Sequence, residues 1–269
     1  MSGVAAIFES IARAIHGVSG MALQADQGHL LQARMAPLLR REGLPDLSAL
    51  AQRLAAPGAA ALLREAAEAT TVNETSFFRD GLPFRLLAER ILPELAASRP
   101  AGAPLRLWSA ACSSGQEAYS LAMLAQGRPL EVLGTDLSRE MVARARTGLY
   151  SAFEVRRGLS AGHLAAHFER EDEGTWRAGA RLRSLCRFEV ANLLHDLGTF
   201  GRFDVVFLRN VLIYFDLPTK RRVLLSVLRQ VAPDGCLVLG AAESVLGLDV
   251  PLRPLPGFPG AFVPGEGWP

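Results

Sequence analysis

Cysteine is scarce in this chain: Cys112, Cys186 and Cys236 are all there is in 269 residues. Three scattered thiols exclude a disulfide framework and a cysteine-based zinc site. Histidine is equally thin. Of five histidines only His163 and His167 share a helical spacing, and neither sits in an HExxH pattern, so no metal is expected. No uncharged apolar run of about 18 residues occurs, which excludes a membrane-spanning helix. The first apolar stretch carries Glu9 and Arg13 and lacks a basic leader, so it does not read as a signal peptide. One-sided charge is missing too. With 29 Lys plus Arg against 27 Asp plus Glu the net charge is +2, and nothing global calls for nucleic acid or an anionic membrane. These absences point to a soluble, cytoplasmic protein without direct membrane insertion, whose function must be read from local sites.

What is present divides along the chain. Residues 1–95 read as helical, with apolar residues at three- and four-residue spacing (Leu30, Leu31, Met35, Leu38; then Leu47, Leu50, Leu54) and breaks at Gly43–Pro45 and Pro57–Gly58. Asp46 or Ser48 can cap the helix running through Arg53. Residues 96–104, around SRPAGAP, read as a linker, because two prolines and a glycine oppose helix. From 105 to 269 strand-like runs alternate with amphipathic helices: LRLWSA, LEVLGTD, FDVVFL and CLVLGA. That alternation predicts an α/β domain with a mostly parallel sheet. The stretch at about 165–190 departs from it, with short strand-like pieces around Gly174 and Gly179, and reads as a small inserted antiparallel β-subdomain.

Four pieces fall where such a sheet places ligands, at the carboxyl ends of strands. Ser109–Glu117 (SAACSSGQE) follows the first strand; its small residues permit close backbone approach and lead into a helix start. It is neither GxGxxG nor a P-loop, which argues against a dinucleotide. Glu117 would repel phosphate and attract a cationic ligand. Asp136 ends the second strand and reads either as a ribose-binding carboxylate or as a helix N-cap. Asn192 and Leu193 follow the CRFEV strand and suit a base. Arg209 and Asn210 follow FDVVFL. Together these suit a nucleoside with a charged amino-acid tail and no phosphates, and S-adenosylmethionine meets that description. A fifth piece, Thr70–Asp80, gathers Asn73, Thr75 and Arg79 around Phe77 and Phe78.

NETSFFRD, LWSAACSSGQEAYSLAM, GTDLSREMVARARTGLY, FEVANLL and FDVVFLRNVLIYFD, in this order, resemble the chemotaxis receptor glutamate methyltransferases known as the CheR family. The resemblance covers residue 30 to the end. It implies a Rossmann-like S-adenosylmethionine-dependent methyltransferase domain, an N-terminal all-helical domain and a small β-subdomain. It also implies cofactor contacts at Asn73, Thr75, Arg79, Glu117, Asp136, Asn192, Leu193, Arg209 and Asn210, with Tyr214 close to the methyl group and the incoming substrate; Arg79 and Tyr214 are the expected orienting groups for the reacting carboxylate. Gln116 and Ala118 depart from the Glu and Pro frequent in the family.

The implied reaction is methyl-ester formation on glutamates of receptor cytoplasmic domains, with S-adenosylhomocysteine as product. Between residues 30 and 64, Arg34, Arg40, Arg41, Arg53 and Arg64 face only Glu42 and Asp46, and the first four are candidates for docking an acidic receptor helix. The loop EREDEGTWRAG is short and acidic, which argues against a receptor C-terminal tether peptide. Two other functions remain open: a methyltransferase for another acceptor, and a non-catalytic module that binds S-adenosylmethionine or its product.

Overall fold

A computed structural model describes residues 3–267; the expected outer domain bounds, residues 1 and 269, lie outside them. The chain forms two compact units, Met1–Val72 with Tyr214–Arg222, and Asn73–Ile213 with Val223–Pro269. The first contains α1 (Gly3–Ser19), α2 (Gly28–Glu42), α3 (Leu47–Ala55) and α4 (Ala60–Thr70). Pairs at i, i+4 spacing supply its core: Ile11 and Ile15, Leu31 and Met35, Leu50 and Leu54, Leu62 and Ala66. Of the two capping candidates Asp46 is the cap, its side chain accepting from Ala49 N at 2.9 Å. Gly43, at φ 65°, ends α2 in the left-handed conformation that glycine adopts without a Cβ penalty. Segment 214–222 joins this unit through a bridge between Met21 and Phe215 and through His16, whose Nε2 meets Asp216 Oδ2 at 3.0 Å.

Among the described residues the second unit has ten strands: β1 (Leu105–Ala110), β2 (Leu130–Asp136), β3 (Leu149–Ser151), β4 (Phe168–Arg170), β5 (Thr175–Ala178), β6 (Cys186–Val190), β7 (Phe203–Leu208), β8 (Val231–Leu239), β9 (Leu252–Pro254) and β10 (Ala261–Pro264). The main sheet runs β6-β2-β1-β7-β8-β10-β9. Its first five strands are mutually parallel, and β10 and β9 close the edge in antiparallel pairs. β7 is buried at every position, as a strand covered on both faces must be. From β1 the chain moves outward to β2 and β6, then returns to the far side of β1 as β7. The switch point therefore lies between β1 and β7, where ligand crevices open in such sheets. Register aligns their tips, Ala110 opposite Leu208 and Leu208 opposite Leu239.

Two boundaries differ from the sequence reading. The units divide at Val72–Asn73, whereas the sequence suggested the 96–104 stretch. Helical residues 82–97 place Phe84, Leu87, Ile91, Leu92 and Leu95 in one core with the strands. Their apolar spacing is the same whether the face covers other helices or a sheet, so periodicity could not separate them. The supposed linker is pinned down. Arg99 Nε donates to buried Asp204 at 2.9 Å, and its Nη1 donates to Asp234 at 2.6 Å. The small sheet, ordered β3-β5-β4, also recruits Leu149–Ser151, while Cys186–Val190 leaves the insertion and becomes the edge strand β6.

Candidate active site

The loop after β1 turns sharply, with Ala111, Ser113 and Gly115 all at positive φ (66°, 50° and 94°). Non-glycine residues there cost energy and persist only where neighbours hold them. Asp136, buried at the tip of β2, is the holder: its Oδ2 accepts from Ser113 N at 2.7 Å and its Oδ1 from Ser138 N at 2.9 Å. The helix cap is Ser138, which accepts from Met141 N at 3.3 Å. The N-cap alternative for Asp136 therefore gives way to a carboxylate that locks two loops together. Gly115 serves the interior, since a Cβ there would meet Ala145 Cβ at 2.9 Å and Phe188 at 3.2 Å. Its smallness lets the loop pack on the sheet unit's core.

Behind Gly115 the helix Gln116–Met123 starts, with Glu117 in its first turn. Glu117 Oε1 accepts from Ser109 Oγ at 2.8 Å, and Oε2 meets Arg209 Nη1 at 2.9 Å. Burial pushes this carboxyl above the ordinary carboxylate range, and Arg209 and Ser109 pull it partly back. The Arg209 side chain is completely enclosed. Its Nη2 donates to Asp80 Oδ2 at 2.6 Å and to the Arg79 carbonyl at 3.1 Å, while its Nε has no partner among the described residues. The guanidinium lies near the Phe84 and Phe207 rings, 5.7 and 5.8 Å from their centroids. Arg209 therefore braces the site from beneath, and the expected attraction of Glu117 for a cationic ligand competes with a cation already in place.

Arg209 also fixes the 73–80 segment. Phe78 and Asp80 take positive φ (46° and 67°) next to the carbonyl and carboxylate that Arg209 grips. Phe78 N donates to Ser120 Oγ at 2.9 Å, its ring stacks on His163 at 4.6 Å, and Phe77 sets its edge against Tyr150. Ser113 Oγ donates to the Asn73 carbonyl at 3.0 Å, tying the start of this segment to the β1 loop. Half-buried Arg79 turns back to the Glu74 carbonyl at 3.1 Å. The structure thus brings Asn73, Arg79, Glu117, Asp136, Arg209 and Asn210 together around the β1, β2 and β7 tips, with Thr75 in the same unit.

Asn192, beyond β6, accepts from Leu194 N at 3.0 Å, which shapes the turn that carries buried Leu193. Asn210 stands at φ 58° just after β7. Tyr214 belongs to the helical unit, where its carbonyl accepts from Ala22 N at 2.8 Å. The docking candidates separate into two pairs. Arg34 donates to the Thr70 carbonyl and Arg41 pairs with Glu42 and Glu65, whereas Arg40 and Arg53 are exposed and have no ion-pair partner among the described residues.

One carboxylate escaped the sequence reading. Glu243, past the end of β8, accepts from four backbone N–H groups: Asn210 at 2.8 Å, Val211 at 2.8 Å, Leu212 at 2.7 Å and Gly240 at 2.7 Å. The signal that singled out Asp136, an acid at a parallel strand's carboxyl end, applied to Glu243 as well.

These residues fit an adenosyl sulfonium better than a nucleotide. Carboxylates and amides occupy the strand tips, and Arg209 is already held by two acids. No group of three metal-ligating side chains occurs among the described residues.

Residues 73–256 match the family model described as CheR methyltransferase, SAM binding domain. The chain is 36% identical to chemotaxis protein methyltransferase Cher2 of Pseudomonas putida over 90% of its own length and 91% of that protein. It is 38% identical to chemotaxis protein methyltransferase 1 of Pseudomonas aeruginosa, covering 92% and 93%. Against the chemotaxis protein methyltransferase of Salmonella typhimurium identity is 32%, covering 90% and 84%.

Proposed function

Since this chain belongs to the CheR methyltransferase family and carries that family's S-adenosylmethionine-binding domain, we propose that it forms methyl esters on glutamate side chains of chemotaxis receptor cytoplasmic domains. The observation that carries the site assignment is Asp136. Its buried carboxylate joins the β1 and β2 loops at the tip of β2, the place where sheets of this kind hold a ribose.

S-adenosylmethionine, when bound, supplies an electrophilic methyl group on a positively charged sulfur. The chain's residues have four tasks. Asp136 holds the sugar, and Asn192 with Leu193 faces the base. Asn73, Thr75, Glu117 and Asn210 receive the amino-acid portion. Arg79 orients the incoming carboxylate, a role that calls for positioning more than tight pairing, because a strong ion pair would stabilise the ground state. No general base is needed, since a glutamate, with an ordinary pKa of about 4.3, is already ionised at neutral pH. Catalysis then rests on aligning oxygen, carbon and sulfur.

Exposed Arg40 and Arg53 on the helical unit are the docking residues for an acidic receptor surface. The hairpin joining β4 and β5 keeps its acids occupied or outward: Glu171 pairs with Arg177, and Asp172 Oδ1 accepts from Gly174 N at 2.8 Å. That acidity supports a reading without an acidic tether peptide. The test is transfer of labelled methyl groups to receptor-containing membranes. Base-labile label on the receptor, abolished by Asp136→Ala, supports the proposal. Base-stable label, or label on another acceptor, refutes it, as does binding of S-adenosylhomocysteine without any transfer.

A further inference from the structure

Glu243 has no part in the contacts proposed above, yet its carboxylate accepts from four backbone N–H groups. Three of its four donors, Asn210, Val211 and Leu212, are consecutive in sequence. Successive N–H groups converge in this way when a left-handed residue starts a turn, and Asn210 at φ 58° does so. Such a concavity attracts an anion, and here the anion is the chain's own. Gly240, the fourth donor, is the first residue past β8, so one carboxylate clamps the tip of β7 to the tip of β8. Space behind the clamp is tight. A Cβ on Gly240 would fall 2.8 Å from Glu243 Oε2 and 3.0 Å from both the backbone N and side-chain Nδ2 of Asn210.

We infer that Glu243 is a positioning residue of the cofactor site: by holding the 210–212 turn against Gly240 it sets the direction in which Asn210 presents its amide. An asparagine tolerates the left-handed region but does not prefer it, so its conformation is fixed by what the following N–H groups bind. A carboxylate is acceptor-only and offers about four lone-pair sites, a full match to four donors. Glutamine at this position has one oxygen and one NH2 group. Two of the four N–H groups would then face another donor, and the turn would be released at one end. Arg209 immediately precedes this turn, and its grip on Glu117 gives the peptide a second fixed point one residue upstream. Asn210 is thereby held from both sides.

This inference rests on the cofactor reading of the site, and calorimetric binding of S-adenosylhomocysteine to the full chain separates the two. If the unsubstituted protein does not bind, the cofactor reading fails and this inference with it. If it binds and folded Glu243→Gln binds within twofold of it, the inference alone is overturned. The expected result is a dissociation constant raised about tenfold or more by Glu243→Gln, in a protein that still unfolds cooperatively. A mere loop-stabilising role is told apart by a double-mutant cycle with Asn210→Ala. If Glu243 acts by orienting Asn210, the double variant binds no worse than the weaker single variant. Losses that multiply overturn the inference. Should Glu243→Gln fail to fold, Gly240→Ala keeps the carboxylate but crowds it and Asn210. It is expected to weaken binding at least fivefold with an intact melting transition, and unchanged binding overturns the inference.

Discussion

Arg209 Nη1 lies 2.9 Å from Glu117 Oε2, inside a protein that leaves none of the Arg209 side chain exposed. The same guanidinium holds Asp80 at 2.6 Å. A β7-tip residue thereby neutralises an acid beside the β1 loop and fixes the segment that begins at Asn73. Replacing Arg209 with methionine leaves two carboxylates without their cation. The expected cost is about 3–5 kcal/mol of stability, read by denaturant unfolding. Lysine should rescue only part of it, because one ammonium cannot reproduce the guanidinium fork that spans Glu117, Asp80 and the Arg79 carbonyl.

Asp136→Asn tests the double role of that carboxylate. The variant keeps one acceptor oxygen for two backbone N–H groups and loses the charge that favours ribose hydroxyls. Calorimetry should show S-adenosylhomocysteine affinity reduced by at least about tenfold, equivalent to about 1.4 kcal/mol. Hydrogen exchange should show faster opening at Ser113 and Ser138.

Cofactor binding should depend on pH through Glu117. Its carboxyl lies above the ordinary range because of burial, with Glu243 adding a smaller push in the same direction. If the ionised form is the binding form, affinity is full above that raised value and falls as pH drops through it. This places the acid limb higher than for an exposed glutamate. The sign for stability is opposite: a carboxyl with a raised folded-state pKa favours the folded protein on the acidic side, and that contribution fades as pH rises through it. Glu243→Gln removes a like charge and should move the limb to lower pH when binding is normalised to its plateau.

Arg40→Glu with Arg53→Glu should lower the rate of receptor methylation several-fold and steepen with falling salt, since exposed charges act through screened, long-range attraction. Cofactor affinity should be unchanged. The corresponding changes at Arg34 and Arg41 should lower the melting temperature as well, because those side chains already bind Thr70, Glu42 and Glu65.

Arg99→Ala should destabilise the sheet unit by about 2 kcal/mol, below the range for a fully buried pair because 21% of the Arg99 side-chain surface is exposed. Buried Asp204 would lose the cation on one oxygen and keep the backbone N–H of Arg106, at 2.7 Å, on the other. Urea unfolding followed at two wavelengths measures the change.

Much of this protein was already decided along the chain. Period-four apolar pairs such as Ile11 with Ile15 dictate helices, because they align on one face. Uninterrupted apolar runs such as Phe203–Leu208 dictate buried parallel strands, because both faces are covered. Asp136 and Asn210 could be located at strand tips for the same reason, and the five ordered motifs brought the family within reach. Tertiary structure alone decided the rest. Whether residues 82–97 cover helices or a sheet depends on a partner that periodicity does not name. Whether Glu117 meets a ligand or Arg209 depends on a contact between residues 92 positions apart in the chain. Glu243 gained its importance only when the ends of β7 and β8 came side by side. Local sequence sets the direction of each side chain, but electrostatic and hydrogen-bond partners are chosen by proximity, and proximity across a sheet is a property of the folded chain.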